Sequence, residues 1–203
     1  MPVTINGDGS ITGLAVGGLP NGTVDADTLA SNAVTSVKLA SSAVTSAKLA
    51  SGAITRSSLP AGSVLQTVQV TTTSQTENAF SSQQTFLTAS ITPTDNNNKI
   101  LVNVNNGGCG SRDTSTWWKL RVKRDGSLIR GIASYIGGYG SGSGREDYPN
   151  FSFLDSPGTT NSITYTVVGD RSSGGANCYH NHSDSSGTNS QAQSSITLME
   201  IAV

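Results

Sequence analysis

The chain has 203 residues, a formal net charge of −1 and a low content of charged side chains, at 12%. A nearly neutral chain without a basic stripe does not match the charge pattern of nucleic-acid-binding proteins, and the sequence contains no run of about 18 apolar residues for a membrane span. The first residues, Met1-Pro2-Val3-Thr4, lack the basic and apolar parts of a signal peptide, so no export signal is expected. Many Gly, Ser and Thr residues with few Lys and Glu favour β-structure with frequent turns.

Residues 1–18 are rich in glycine and begin with a short alternating run, Val3-Thr4-Ile5. The Asn-Gly and Asp-Gly pairs at residues 6–9 are typical of the tight turn of a β-hairpin. The sequence therefore predicts two short strands around this turn, in an N-terminal segment that ends at residue 18.

A ten-residue repeat occupies residues 19–64. One apolar series is Leu19, Leu29, Leu39, Leu49 and Leu59, and a second lies five positions further on, at Val24, Val34, Val44, Ile54 and Val64. A constant period indicates a linear array rather than a globular core. Each unit has too few apolar side chains to bury within one chain, so we expect this segment to be stable only against other copies. The residues expected at that interface are the five leucines, Val34, Val44 and Ile54.

The repeat is not expected to form one continuous helix. Ten residues of an α-helix turn through about 1000°, about 80° short of three full turns. The leucines would therefore drift around the helix, which disfavours a long coiled coil. Residues 45–50 instead match a single helical turn capped by Thr45 or Ser46, followed by a short extended piece at residues 52–55. We expect a zigzag of such turns and short strands wound with identical chains, and a flexible Ser/Thr/Ala linker is the alternative.

Residues 65–203 contain alternating segments separated by turns, which predict an antiparallel β-sandwich with seven to nine strands and little helix. The expected strands are 64–71, 85–91, 99–104, 116–124, 127–130, 150–154, 162–168 and 195–203. Asp125-Gly126 is a hairpin signal between two of them. A jelly roll and another antiparallel arrangement both fit this pattern. Cys109 and Cys178 are expected to be separate thiols, with a single disulfide as the alternative.

Three loops of the expected sandwich are candidates for ligand contacts, because loops carry recognition residues on a rigid scaffold. They span residues 107–116, 135–149 and 170–193. Tyrosines among glycines suit recognition, since Tyr supplies contact area at a low entropic cost. The alternative is that the loops pack their own tyrosines on the sandwich. The candidate receptor-binding residues are Arg112, Tyr135, Tyr139, Arg145, Tyr148 and Tyr179.

Metal binding and catalysis have little support in the sequence. His180 and His182 form a single His-x-His pair in a polar loop, and the ordinary interpretation is two structural or exposed histidines. Glu146, Asp147 and Asp155 lie in or beside a glycine-rich loop without a second catalytic group. No nucleophile triad or phosphate-binding loop is present. We therefore expect neither a cofactor nor an enzymatic activity.

The order of these segments resembles the tail-fibre proteins of tailed bacteriophages. The segments that carry the resemblance are residues 5–14, Gly17-Gly18-Leu19-Pro20, the Ala-Val-Thr-Ser-x-Lys-Leu-Ala repeats, the exit Leu-Pro-Ala-Gly-Ser-Val-Leu-Gln at residues 59–66, and residues 87–93, 99–102 and 196–201 of the distal part. The resemblance implies a mostly β protein with three parts. These are a virion-attachment segment at 1–18, a homotrimeric shaft at 19–64 and a β-sandwich knob at 65–203.

The same resemblance implies a role in adsorption. Its partners would be virion tail or baseplate proteins at the N-terminus and a host-surface polysaccharide or outer-membrane receptor at the knob. The protein would be assembled in the host cytoplasm, without nucleic-acid binding or membrane insertion. A head fibre, decoration or baseplate protein without receptor affinity is the second interpretation, because the chain is short for a fibre.

Overall fold

The computed structural model describes residues 4–8, 11–13, 24, 27, 29–78, 83–111, 117–132, 145–147, 149–173, 178–181 and 192–203. Within these residues the elements are β-strands and 3₁₀ turns. The strands are β1 (Thr4–Ile5), β2 (Ile11–Thr12), β3 (Val64–Thr72), β4 (Thr76–Asn78), β5 (Gln84–Ile91), β6 (Lys99–Asn105), β7 (Cys109–Ser111), β8 (Trp117–Arg124), β9 (Ser127–Ile132), β10 (Arg145–Asp147), β11 (Phe151–Asp155), β12 (Ile163–Ser173), β13 (Cys178–His180) and β14 (Ser194–Ile201). The 3₁₀ turns span Ser36–Lys38, Ser46–Lys48 and Arg56–Ser58. No helix in this described part is long and apolar enough to cross a membrane.

The N-terminal hairpin is confirmed. β1 and β2 are antiparallel, with Thr4 opposite Thr12 and Ile5 opposite Ile11. The predicted Asn-Gly and Asp-Gly pairs therefore lie in the connection between the two strands.

The repeat has the same local geometry in successive units. Each unit begins with a turn whose third residue has a positive φ, at Asn32, Ser42, Gly52 and Gly62. In the first of these turns the Ala33 amide donates to the Ala30 carbonyl at 2.9 Å. In the units whose turns contain Asn32, Ser42 and Gly52, the turn is followed by a 3₁₀ turn and then by the periodic Leu. The single helical turn predicted within residues 45–50 is thus confirmed as Ser46–Lys48.

One detail of the predicted repeat is wrong. The extended piece expected at residues 52–55 begins as a turn, because the Ala53 amide donates to the Ala50 carbonyl at 2.9 Å and Gly52 has a φ of 79°. Thr45, one of the two predicted caps, is the N-cap residue, although its side chain makes no capping hydrogen bond. A lysine helps to close the unit instead: Lys48 Nζ donates to the Ala43 carbonyl at 3.0 Å.

The chain divides into two compact units, residues 1–54 and 55–203. The second unit thus includes the last repeat, ahead of the boundary expected at residue 65. Hydrogen bonds explain this grouping, since the Gly62 amide donates to the Ala202 carbonyl at 2.8 Å and the Ala202 amide donates to the Ser63 carbonyl at 2.9 Å. The end of the repeat is therefore tied to the residues that follow β14.

The second unit contains the predicted antiparallel β-sandwich. One sheet has the strand order β11-β6-β14-β3, and the other has the order β5-β12-β8-β9. Taken in chain order, the eight strands of the two sheets pair from the outside inwards. β3 pairs with β14, β5 with β12, β6 with β11 and β8 with β9. This is the strand order of a jelly roll, in which one long hairpin is rolled into two facing sheets. The core between the sheets is formed mainly by Leu87, Ala89, Ile91, Ile100, Val102, Val104, Leu120, Val122, Ile163, Tyr165, Val167, Ile196 and Leu198.

A polar contact connects the two sheets at the edge of this core. Asp155 Oδ2 on β11 accepts hydrogen bonds from Arg124 Nη1 on β8 and from the Tyr165 hydroxyl on β12, both at 2.7 Å. Burial, together with the hydrogen bond to Asp155, raises the pKa of Tyr165, so its hydroxyl stays protonated. The ion pair and the phenol thus satisfy one carboxylate that is shared between the sheets.

Candidate functional site

A small four-stranded sheet brings the three candidate loops together. Its strand order is β10-β7-β13-β4. β7 lies in the 107–116 loop, β10 in the 135–149 loop and β13 in the 170–193 loop. The sequence did not predict these strands, because each has three residues and carries no alternating apolar pattern. The three segments chosen separately as recognition loops are therefore neighbouring strands.

The register of this sheet centres on Gly110. Gly110 lies opposite Glu146 on one side and opposite Tyr179 on the other, and Tyr179 lies opposite Glu77. Adjacent strands are about 4.8 Å apart, so the backbone positions of Glu77 and Glu146 are separated by about 14 Å. The row thus offers an aromatic position beside a residue without a side chain, flanked by two distant acidic positions.

Two of the six candidate receptor-binding residues are within the described strands of this sheet. Arg145 is in β10 opposite Ser111, and Tyr179 is in β13 opposite Gly110. The structure therefore places both beside β7. The remaining candidates lie outside the described residues, namely Arg112, Tyr135, Tyr139 and Tyr148, and the same holds for His182.

His180, the last residue of β13 in this sheet, is buried and does not lie in a polar loop. Its ring stacks on Phe86 of β5, with the ring centroids 4.1 Å apart and an interplanar angle of 7°. Its Nε2 lies 3.1 Å from Ser194 Oγ on β14. His180 thus contacts residues of both sheets of the sandwich, and Cys109, a buried thiol, lies opposite it on β7.

The hydrogen bonds of Ser194 and the burial of the ring together assign the protonation of His180. Ser194 Oγ accepts a bond from the Gly107 amide at 2.9 Å, and its single proton is directed at the amide oxygens of Asn181 at 2.5 Å and Asn106 at 3.3 Å. Ser194 is therefore left to accept from His180, which places a proton on Nε2. Burial favours the neutral ring, because desolvation lowers the pKa of His180 to about 4. Among the described residues, no group of three His, Cys, Asp or Glu side chains is arranged to hold a metal ion.

Asn181 closes the polar network. Its φ of 58° lies in the left-handed region that Asn tolerates better than most residues. Its amide donates to the Gly108 carbonyl at 2.7 Å, and its Nδ2 donates to the carbonyls of Thr72 and Ser74 at 3.2 and 3.0 Å. The network therefore joins the small sheet to the end of β3. Sequence reasoning counted Asn181 among the contact residues of the 170–193 loop, whereas the structure buries it, and it missed Ser194.

A cleft of about 600 Å³ lies at the entry to β3. Its walls include Arg56, Leu59, the loop at residues 94–98 and the residues after β14. The buried Glu200 fixes this loop through hydrogen bonds. That carboxylate accepts bonds from the Thr94 amide at 2.6 Å, Asn98 Nδ2 at 2.7 Å and Gln66 Nε2 at 2.6 Å. Burial opposes ionisation of Glu200, but these donors outweigh it and lower its pKa, so it remains a carboxylate.

Comparison with known proteins gives structural matches alone. No protein-family model and no curated protein matches the chain. A structure of the Gx strain of infectious bursal disease virus matches at 15% identity with a TM-score of 0.42, covering 68% of this chain and 32% of that chain. The VP2 subviral particle of the same virus matches at 14% identity with a TM-score of 0.40, covering 69% and 34%. Dimeric latent PorU from Porphyromonas gingivalis matches at 11% identity with a TM-score of 0.26, covering 70% and 14%. The chain spans about a third of the length of the two viral structures. The jelly-roll topology rests on the strand order of this chain alone.

Proposed function

We propose that this protein is a virion component of the tail-fibre type. In this proposal the ten-residue repeat holds identical chains together and the β-sandwich binds a host-surface glycan. The observation that carries the proposal is the exposure of the periodic apolar residues. Leu29, Leu39, Leu49 and Leu59 are 39–45% exposed. Four regularly spaced leucines are thus left at the surface of a single chain. An exposed apolar array of this kind marks a contact with a partner.

The second apolar series supports the same proposal. Val34, Val44 and Ile54 are 53–58% exposed, and the repeat's 3₁₀ turns contain no buried residue in the units at Ser36–Lys38 and Ser46–Lys48. Since the described units from Asn32 onward share the same turn geometry, an identical chain beside them meets the same surface at each of these levels. The number of chains, three, comes from the resemblance to phage tail fibres.

The convergence of the three candidate loops supports a binding role for the sandwich. Arg145 and Tyr179 flank a glycine-containing strand in a sheet that is supported by the buried His180 network. Three copies raise the effective concentration of such sites, so weak single contacts give useful avidity. The N-terminal hairpin is assigned to attachment to other virion proteins.

Binding without catalysis is part of the proposal. The sequence supports this part of the proposal, because its acidic candidates Glu146, Asp147 and Asp155 lie in or beside a glycine-rich loop without a second catalytic group.

The test is binding of labelled full-length protein to an array of bacterial surface polysaccharides and lipopolysaccharides. We expect retention of the wild type on a subset of glycans and loss of it in an Arg145→Ala/Tyr179→Ala variant. A matched control, Lys123→Ala on β8, should bind like the wild type. If no glycan retains the wild type while the chain still forms an oligomer, the head-fibre or decoration role replaces receptor binding.

A further inference from the structure

The outer face of one sheet of the sandwich carries an apolar patch. In the sheet β11-β6-β14-β3, Leu154 lies opposite Leu101, and Leu101 lies opposite Met199. One position further along the same face of β14, Ile201 lies opposite Val64. Leu154 and Val64 are each 51% exposed, and Leu101, Met199 and Ile201 are half-buried. We call these five residues the sheet patch.

The sheet patch is confined to one half of this face. The neighbouring row of the same four strands is polar and consists of Ser152, Asn103, Thr197 and Gln69. The alternate residues of these strands, such as Val102 and Leu198, point into the core and are fully buried. The outer face of an antiparallel sheet is normally polar throughout. The half with the sheet patch also contains Thr67, opposite Met199, and Lys99, opposite Ile201. Its five apolar side chains are the part of this face that calls for a covering partner.

Val64 connects the sheet patch with the repeat. By spacing it is the last member of the series Val34, Val44, Ile54 and Val64. By register it is the residue of β3 that lies opposite Ile201. The series that the proposed function assigns to contacts between copies thus ends, at Val64, within the sheet patch. Leu59, the last periodic leucine, belongs to the same compact unit as the sandwich and is also exposed, at 39%. A partner that covers the periodic residues of this last repeat is therefore expected to reach the sheet patch.

We infer that the sheet patch is a contact surface for a second copy of this chain, so that the interface between copies extends from the repeat into the β-sandwich. This inference rests on the proposed function, because it takes the repeat to join identical chains. It adds a contact that the repeat does not require. Apolar side chains of two copies would cover each other there, with the polar row left in water.

The first test compares two double variants on the same strands and the same face. Leu154→Glu/Met199→Glu places charge in the sheet patch, and Ser152→Glu/Thr197→Glu places the same charge two residues away in the polar row. The oligomer dissociation constant of each full-length variant is measured by sedimentation as a function of concentration. Circular dichroism checks that each variant is folded. We expect the first pair to raise the dissociation constant at least about tenfold and the second to change it less than about twofold.

The second test uses milder substitutions, which keeps the inference testable if the charged variant does not fold. Leu154→Cys and Ser152→Cys are reacted with a maleimide in the full-length oligomer, and labelling at each position is followed by peptide mass. We expect position 154 to react at least about tenfold more slowly than position 152 and to lose this protection on dilution to the monomer. Equal rates in the oligomer, or a dissociation constant unchanged by the patch variant, would overturn the inference and leave the proposed function intact. A wild-type chain that is monomeric at every concentration would contradict both.

Discussion

Acidification is expected to weaken the end of the sandwich that carries the small sheet, through His180. The folded chain holds this imidazole neutral, because the ring is buried against Phe86 and desolvation disfavours its charged form. A protonated ring at the same place would put an unpaired charge in a buried site. His180→Gln removes the titration while keeping an amide N–H that can reach Ser194.

The sign and size of the effect follow from the lowered pKa. The unfolded chain takes up a proton on this residue near pH 6.5, whereas the folded chain does so near pH 4. The unfolded state therefore binds more protons between these values, and stability falls as the pH falls. Between pH 7.5 and pH 5.0 the free energy of unfolding should decrease by about 2 kcal/mol from this group alone. Below pH 4 the loss should level off at about 3 kcal/mol.

The assay is urea unfolding of the full-length chain at a fixed protein concentration, at several pH values from 7.5 to 5.0. We expect His180→Gln to be less stable than the wild type at pH 7.5 by about 1 kcal/mol, since the stacking on Phe86 is reduced. Its stability should then change little with pH. His182→Gln, at the other histidine of the chain, is the matched control and should retain the wild-type slope. A wild-type slope in His180→Gln would refute the assignment of a buried neutral imidazole.

Three further substitutions test other parts of the structure. Gly107→Ala should lower the free energy of unfolding by about 2 kcal/mol, because its Cβ would lie 2.7 Å from backbone atoms of the segment before β14; Gly131→Ala, with open space around its Cβ, should change it by less than about 0.5 kcal/mol in the same urea assay. Glu200→Gln should cost about 2 kcal/mol at pH 7, because an amide presents N–H groups to donors. The difference should shrink as the pH falls below about 4.5, because the unfolded wild-type chain then takes up a proton on Glu200 before the folded chain does. A constant difference from pH 7 to pH 3 would argue against ionised Glu200. Ser42→Gly should raise the free energy of unfolding by about 0.5 kcal/mol, and with it the melting temperature. The reason is that Ser42 has a φ of 61°, a left-handed conformation that glycine adopts without steric strain. Ser41→Gly, at a position without a positive φ, should lower it, and an equal effect of both would count against strain at Ser42.

The eight long strands could be predicted from the sequence because each carries its own alternating pattern. β14, for example, alternates buried Ile196 and Leu198 with half-buried Thr197 and Met199, which is a local signal of a two-sided strand. The 3₁₀ turn at Ser46–Lys48 was also predicted from residues next to one another. Local patterns therefore gave the sandwich and the repeat in outline.

The small sheet and its support could not be predicted in this way. β7 and β13 are three-residue strands containing Gly and polar residues, and they form because distant segments bring partners to them. The polar sequence around His180 indicates a loop. The burial of its ring depends on Phe86 and Ser194, which are separated from each other by the greater part of the sandwich sequence. The sheet patch was equally hidden, since Leu101, Leu154 and Met199 meet only when three strands are in register.

The central claim is that the exposed leucines of the repeat hold identical chains together. The most direct measurement is the solution mass of the full-length protein by sedimentation equilibrium, for the wild type, for Leu39→Asp/Leu49→Asp and for the control Ser41→Asp/Ser51→Asp. We predict a mass of three 20.8 kDa chains for the wild type and the control, and dissociation to single chains for the leucine variant. A wild type that sediments as a single chain at all concentrations, or a leucine variant with the wild-type mass, would contradict the account.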